Sequence, residues 1–241
     1  MIVPALDRLI GSLLQAGRRT CLNDSVTNDW QRWHSHYDDP GSSLAQRLDA
    51  VRDVVRRALD EAPCGTDEVI RMTTLCAGDG RDVLPVLAEA THRRPVSAVL
   101  VELDPRLAKR ARTAAAERGL TRVEVRQADA GDLATYVGVP AAHVLLACGV
   151  FGNISVDYVR RTISMLPRLV APSGIVVWTR GAENTTLDRS REISDHLVRA
   201  GFDEMSLTGT RDGVFRIGMH RMVGPPGPGM SGDDGRMFVF S

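Results

Sequence analysis

Leu75-Cys76-Ala77-Gly78-Asp79-Gly80-Arg81-Asp82 joins a mostly apolar run, Val69 to Leu75, to a helix-like run, Val83-Leu84-Pro85-Val86-Leu87. Strand, glycine turn and helix in that order bring a backbone close to a nucleotide-like ligand. Gly78 and Gly80 put no Cβ in the way and tolerate positive φ. The amides that open the following helix point at whatever binds there. Twenty-two residues beyond Gly80, a second apolar run, Val96 to Val101, ends in Glu102. A carboxylate at the tip of a second strand is placed to grip a ribose diol. Alone, the glycines fit a structural turn and Glu102 fits a solvated strand end. Together, each closing an apolar run, they point to a nucleotide crevice.

The chain has 241 residues, 43% of them hydrophobic, with 30 basic and 30 acidic side chains. That is enough for one large α/β domain and a small appendage. A net charge of zero gives no electrostatic case for nucleic acid or an anionic membrane. No stretch is long and apolar enough to span a bilayer. Asp7 and Arg8 come early and fit no signal-peptide pattern, so a cytoplasmic protein is expected. Cys21, Cys64, Cys76 and Cys148 form no CxxC pair and no zinc pattern, so no metal is expected. Cys76 and Cys148 both end apolar runs and read as small packing residues near the ligand cleft.

Three segments organise the chain. Residues 1–62 read as an N-terminal helical cap, with an amphipathic helix over 1–20 and a polar, aromatic stretch over 28–40. A second helix runs to about Leu59, capped by Ser42 or Ser43. Residues 63–222 read as the core, with strands over 69–75, 96–102, 123–127, 142–148 and 174–179. Helices are expected over 82–90, 105–118, 156–168 and 186–200. That alternation implies parallel strands with right-handed crossovers. Two further strands, 204–208 and 213–219, have no helix between them and read as an antiparallel hairpin at a sheet edge. Residues 223–241 form a Gly/Pro-rich tail whose apolar end, Met237 to Phe240, can dock back.

At these motifs the chain resembles the class I S-adenosylmethionine-dependent methyltransferases, over roughly residues 65–220. The matching pieces are Leu75 to Asp82, Val101-Glu102-Leu103-Asp104-Pro105, Gln127-Ala128-Asp129-Ala130, and Leu166 to Gly174, the last resembling the helix end and turn before strand five. Within that family the likeness is to small bacterial proteins. The resemblance implies a Rossmann-like α/β fold: a seven-stranded, mostly parallel sheet, helices on both faces, and one antiparallel edge strand. It implies S-adenosylmethionine as cofactor, S-adenosylhomocysteine as product, and a small-molecule acceptor. Cys76, Ala77, Gly78 and Gly80 are then expected along the methionine and ribose portions. Glu102 is expected on the ribose hydroxyls, Leu103 beside the adenine, and Asp129 with the Ala130 amide at the adenine edge. Cys148 and Gly149 are expected beneath the sulfonium, Tyr37 on a lid, and Phe151, Asn153 and Arg180 on the acceptor side. The family's acidic residue late in strand one is replaced by Thr74, and its common first glycine by Cys76.

Two other readings stay open. A nicotinamide-dependent oxidoreductase uses the same kind of turn, but Val83 stands where a third glycine would fall, and Lys109, the only lysine, belongs to no Tyr-x-x-x-Lys pair. A non-catalytic binding protein on a methyltransferase fold is kept open by Thr74. Monomer and homodimer are both compatible with the sequence, and no residue is singled out as a general base.

Overall fold

A computed structural model describes residues 37, 39, 41–63, 69–90, 94–182, 189–229 and 235–240. The helix expected over 1–20 and most of the aromatic stretch 28–40 lie outside the described residues. The first described helix, α1 (Ser43–Asp60), starts where Ser42 Oγ accepts from the Ala45 amide at 3.0 Å. This hydroxyl satisfies one of the amides that a helix start leaves without a partner. Leu44, Leu48, Val51, Val55 and Leu59 repeat at helical spacing and are all buried.

The remaining elements follow as β1 (Ile70–Thr74), α2 (Leu84–Ala90), β2 (Val96–Glu102), α3 (Pro105–Glu117), β3 (Val123–Gln127), β4 (Ala142–Ala147), α4 (Val156–Met165), β5 (Val170–Gly181), α5 (Arg189–Arg199), β6 (Phe202–Gly209) and β7 (Phe215–Met222). The seven strands lie in the order β3-β2-β1-β4-β5-β7-β6. The first five are mutually parallel, and β7 is antiparallel to both β5 and β6. The reversed strand therefore sits one place in from the edge, with β6 outside it. The chain builds outward from β1 through β2 to β3, then returns to place β4 on the other side of β1. That reversal opens a crevice at the carboxyl ends of β1 and β4.

Two apolar layers sandwich the sheet. Val144 and Leu146 of β4 face a layer that includes residues of α1, α2 and α3. Leu145 and Ala147 face one that includes residues of α4 and α5 with Met237 and Phe238. Every residue of β4 is buried, as expected of a parallel strand covered on both faces. On β7, a Cβ at Gly218 would collide with the indole of Trp178. Glycine there lets the buried Trp178 lie against the neighbouring strand.

Strand five corrects the expected boundary. It begins at Val170, not Gly174, because Val170 already pairs with Ala142 before the register shifts to Val144–Ile175. Ser173 at φ 60° and Gly174, whose pro-Cβ space is filled by Val170 and two carbonyl oxygens, form the bulge that absorbs the shift. The crossover from β3 to β4 carries only one 3-10 turn, Leu133–Tyr136. The C-terminal segment 235–240 packs beside it, while residues 224–229 run against the turn at Leu166–Arg168, with the Gly227 amide donating to Pro167 O at 2.8 Å.

Candidate functional site

The loop after β1 is held in the left-handed region at Cys76 (φ 54°), Gly78 (φ 59°) and Gly80 (φ 77°). A cysteine in this conformation costs on the order of 1 kcal/mol relative to a favoured one, so Cys76 occupies a glycine-type position. The Ala77 amide donates to Val101 O at 2.8 Å, which fastens the loop to β2. At Gly80 a Cβ would press into Leu84 and Leu100.

Glu102 closes β2 and turns back to this loop. Its Oε2 accepts from the Gly78 amide at 2.7 Å, and its Oε1 accepts from the Asp104 amide at 2.8 Å. Each oxygen keeps further acceptor capacity. The residue is 8% exposed. Burial raises its pKa, and the Asp104 and Gly78 amides pull it back down. Beside it, Leu103 is an apolar side chain 61% exposed at the mouth of the crevice. Asp104 caps α3 by accepting from the Arg106 and Leu107 amides.

The end of β3 is drawn alongside, because the Ala128 amide donates to Glu102 O at 3.1 Å. Asp129 follows. Its Oδ1 accepts from the Gly131 amide at 2.8 Å, and its Oδ2 accepts from the guanidinium of Arg236. Ala130 is buried, and its carbonyl accepts from Tyr136 Oη at 2.8 Å. Burial, together with the Glu102 and Asp129 charges, pushes the Cys76 thiol well above its ordinary pKa. Neither it nor Cys148, whose thiol burial pushes up to about 12, is a thiolate at neutral pH.

After β4, Gly149 adopts φ 73° and its amide donates to Thr179 Oγ1 at 2.9 Å. Asn153 Nδ2 donates to Gly149 O at 2.7 Å, and Arg180 Nη1 donates to Phe151 O at 2.6 Å. These contacts brace the loop. The Phe151 ring, expected on the acceptor side, is 0% exposed and packs edge-on against Trp178 at 6.0 Å. The apolar ring is drawn into the core.

Tyr37 and Arg47 meet on the same side as Gly149. Arg47 is 3% exposed, donates to Tyr37 Oη, and lies 3.8 Å from Asp82. Its Nη2 is 3.8 Å from the position a Gly149 Cβ would take. Arg81 lies 4.8 Å from the Tyr37 ring centroid. Burial raises the Tyr37 pKa well above the ordinary phenol value, so its hydroxyl stays protonated. Thr74, at the end of β1, is buried, and its Oγ1 has no hydrogen-bond partner among the described residues. Such an orphan is satisfied by a bound donor or acceptor. A cavity of about 480 Å³ opens on the helical side of the loop, bordered by Asp79, Gly80, Arg81, Arg52 and Leu84. Among the described residues, no group of three or more His, Cys, Asp or Glu is arranged to hold a metal, and no helix is long and apolar enough to cross a membrane.

Sequence reading singled out neither Arg47 nor Arg236. Arg47 reads as the polar side of an amphipathic helix, and Arg236 as part of a tail. The only available hint is local: Arg236 directly precedes the apolar Met237-Phe238 pair.

No protein-family model matches the sequence, and no curated protein matches it. Solved structures do match. The magnesium protoporphyrin IX methyltransferase of Synechocystis, crystallised with bound S-adenosylmethionine, superposes with a TM-score of 0.62 at 15% identity, covering 85% of this chain and 99% of that one. A S-adenosylmethionine-dependent methyltransferase from Aquifex aeolicus gives 0.52 at 14% identity, over 72% and 89%. The precorrin-6y C5,15-methyltransferase of Geobacter metallireducens gives 0.50 at 17%, over 72% and 88%. The chain has the fold of the class I S-adenosylmethionine-dependent methyltransferases.

Proposed function

We propose that the protein is an S-adenosylmethionine-dependent methyltransferase acting on a small-molecule acceptor. The observation that carries this reading is Glu102. Its two carboxylate oxygens, anchored by the Gly78 and Asp104 amides, link the glycine loop to the start of α3. A diol needs two adjacent acceptors, and a carboxylate with spare lone pairs supplies both.

The chemistry of the neighbouring residues suits the same ligand. Leu103 offers an apolar surface for a base, and Asp129 offers an acceptor for an exocyclic amine. Gly78, Gly80 and Gly149 leave room for backbone approach. Arg47, a buried cation with its nearest carboxylate 3.8 Å away, suits the cofactor's own carboxylate. Thr74 replaces an acid with a neutral hydroxyl, so the cofactor's ammonium is held by dipoles rather than by an ion pair at that point. When bound, the cofactor supplies an electrophilic methyl group. The chain's part is to align the acceptor, exclude water and hold charge at fixed positions.

A binding protein without turnover is the second reading, favoured by Thr74 and by the withdrawal of Phe151 into the core. Titrating the purified protein with S-adenosylmethionine, S-adenosylhomocysteine and NADH separates these readings. Binding of the first two alone supports the methyltransferase fold's usual ligand, and methyl transfer to any member of an acceptor library supports catalysis. Binding of NADH alone overturns both.

A further inference from the structure

The β3–β4 crossover leaves part of one sheet face without a helix, and the segment 235–240 fills it. Met237 and Phe238 are buried in the same apolar layer as Leu75, Val101, Leu133 and Tyr136. The backbone is hooked on both sides of Arg236: Leu133 N donates to Gly235 O at 3.0 Å, and Met237 N donates to Gly131 O at 2.6 Å. From α4, Arg161 Nε donates to Arg236 O at 2.5 Å, and Thr162 Oγ1 donates to Met237 O at 3.4 Å. A Cβ at Gly131 would collide with the Phe238 carbonyl, so the strap lies directly on the segment that carries Asp129.

Arg236 extends from between these hooks to Asp129 Oδ2, 107 positions earlier in the chain. With the Gly131 amide on Oδ1, the carboxylate is gripped from both ends. A carboxylate so held cannot rotate freely, yet each oxygen keeps an unused lone pair. An ionised, oriented carboxylate accepts a hydrogen bond from an amine and repels a carbonyl oxygen. Resting on the cofactor reading above, we infer that Arg236 is a positioning residue that aims Asp129 at the 6-amino group of the cofactor's adenine, making the C-terminal strap a determinant of base selectivity.

The test is calorimetric titration of the full chain with S-adenosylhomocysteine and with S-inosylhomocysteine, which carries a 6-oxo group instead. Wild type is expected to prefer the adenine form by about tenfold or more, the loss of one charge-assisted hydrogen bond. Arg236→Ala is expected to weaken the adenine ligand several-fold, leave the inosine ligand nearly unchanged, and so collapse the preference. Asp129→Ala is expected to weaken the adenine ligand and to improve the inosine ligand, and Arg236→Lys to keep part of the preference that Arg236→Ala loses. An equal loss for both ligands, an unchanged preference, or tighter adenine binding in Arg236→Ala overturns the inference, the last by making Arg236 a competitor. Equal wild-type affinity for the two ligands overturns it as well. Wild type that binds neither ligand overturns the cofactor reading itself, and the inference with it.

Discussion

Glu102 accepts from the Gly78 amide at 2.7 Å, so the acid that ends β2 is tied directly to the glycine loop that ends β1. The two features 24 positions apart are one device, in which the loop orients the carboxylate and the carboxylate fixes the loop. Glu102→Ala is expected to weaken S-adenosylmethionine binding roughly tenfold to a hundredfold, as removal of bonds to a charged acceptor implies. Calorimetric affinity measures this, with circular dichroism to confirm the fold. Unchanged affinity means that the ribose lies elsewhere.

Arg47 is a buried cation against a phenol, an aromatic ring and a carboxylate 3.8 Å away. If the cofactor's carboxylate completes its neutralisation, Arg47→Met should lower affinity for S-adenosylmethionine about tenfold or more. The same variant should bind decarboxylated S-adenosylmethionine about as well as wild type does. A parallel loss for both compounds assigns Arg47 to the core alone.

His220, on β7, is fully buried and faces α5. Trp178 Nε1 donates to its Nδ1 at 3.3 Å, so its Nε2 carries the proton toward Ser194 Oγ at 2.9 Å. Ser194 in turn donates to Glu204, which also pairs with Arg191. Burial lowers the His220 pKa from 6.5 to about 4, Glu204 opposes that shift, and Arg191 adds to it. Between pH 4 and 6.5 the unfolded chain therefore binds more protons at this residue than the native chain. Its contribution is full above pH 6.5 and is lost as pH falls toward 4, on the order of 3 kcal/mol at most. Urea unfolding at pH 5 and pH 7.5 should show a smaller difference for His220→Gln than for wild type. Equal differences would refute the assignment.

Gly131 lies under the strap. Gly131→Ala forces a methyl group against the Phe238 carbonyl and is expected to destabilise the protein by roughly 1–3 kcal/mol, the range for overpacking. Hydrogen exchange at the Met237 amide, bonded to Gly131 O, should accelerate more than exchange at Leu146 in the middle of the sheet. Uniform acceleration would mean that the strap unfolds only with the core.

Much of the fold is written in local pattern. Apolar runs of strand length alternating with helical spacing placed β2 and β3 at their observed ends, and the Ser42-Ser43 pair marked the start of α1, because periodicity and capping act within a few residues. The pairing of glycine loop with Glu102 was legible for the same reason, since each sits at the end of an apolar run. The bulge in β5 was not, because it answers to its register against β4. Nor was the fate of Phe151, which depends on Trp178 standing across the sheet. Arg47 carries no local signal, and Arg236 only its place before the apolar Met237-Phe238 pair. The partners of Arg47 lie at Tyr37 and Asp82, and that of Arg236 at Asp129, so chain folding alone brings each charge to its counterpart. Sequence determined which strand ends carry the glycine loop and the acid, and tertiary structure decided which charges stand around them, because hydrophobic periodicity is a short-range code and electrostatic pairing is a long-range outcome.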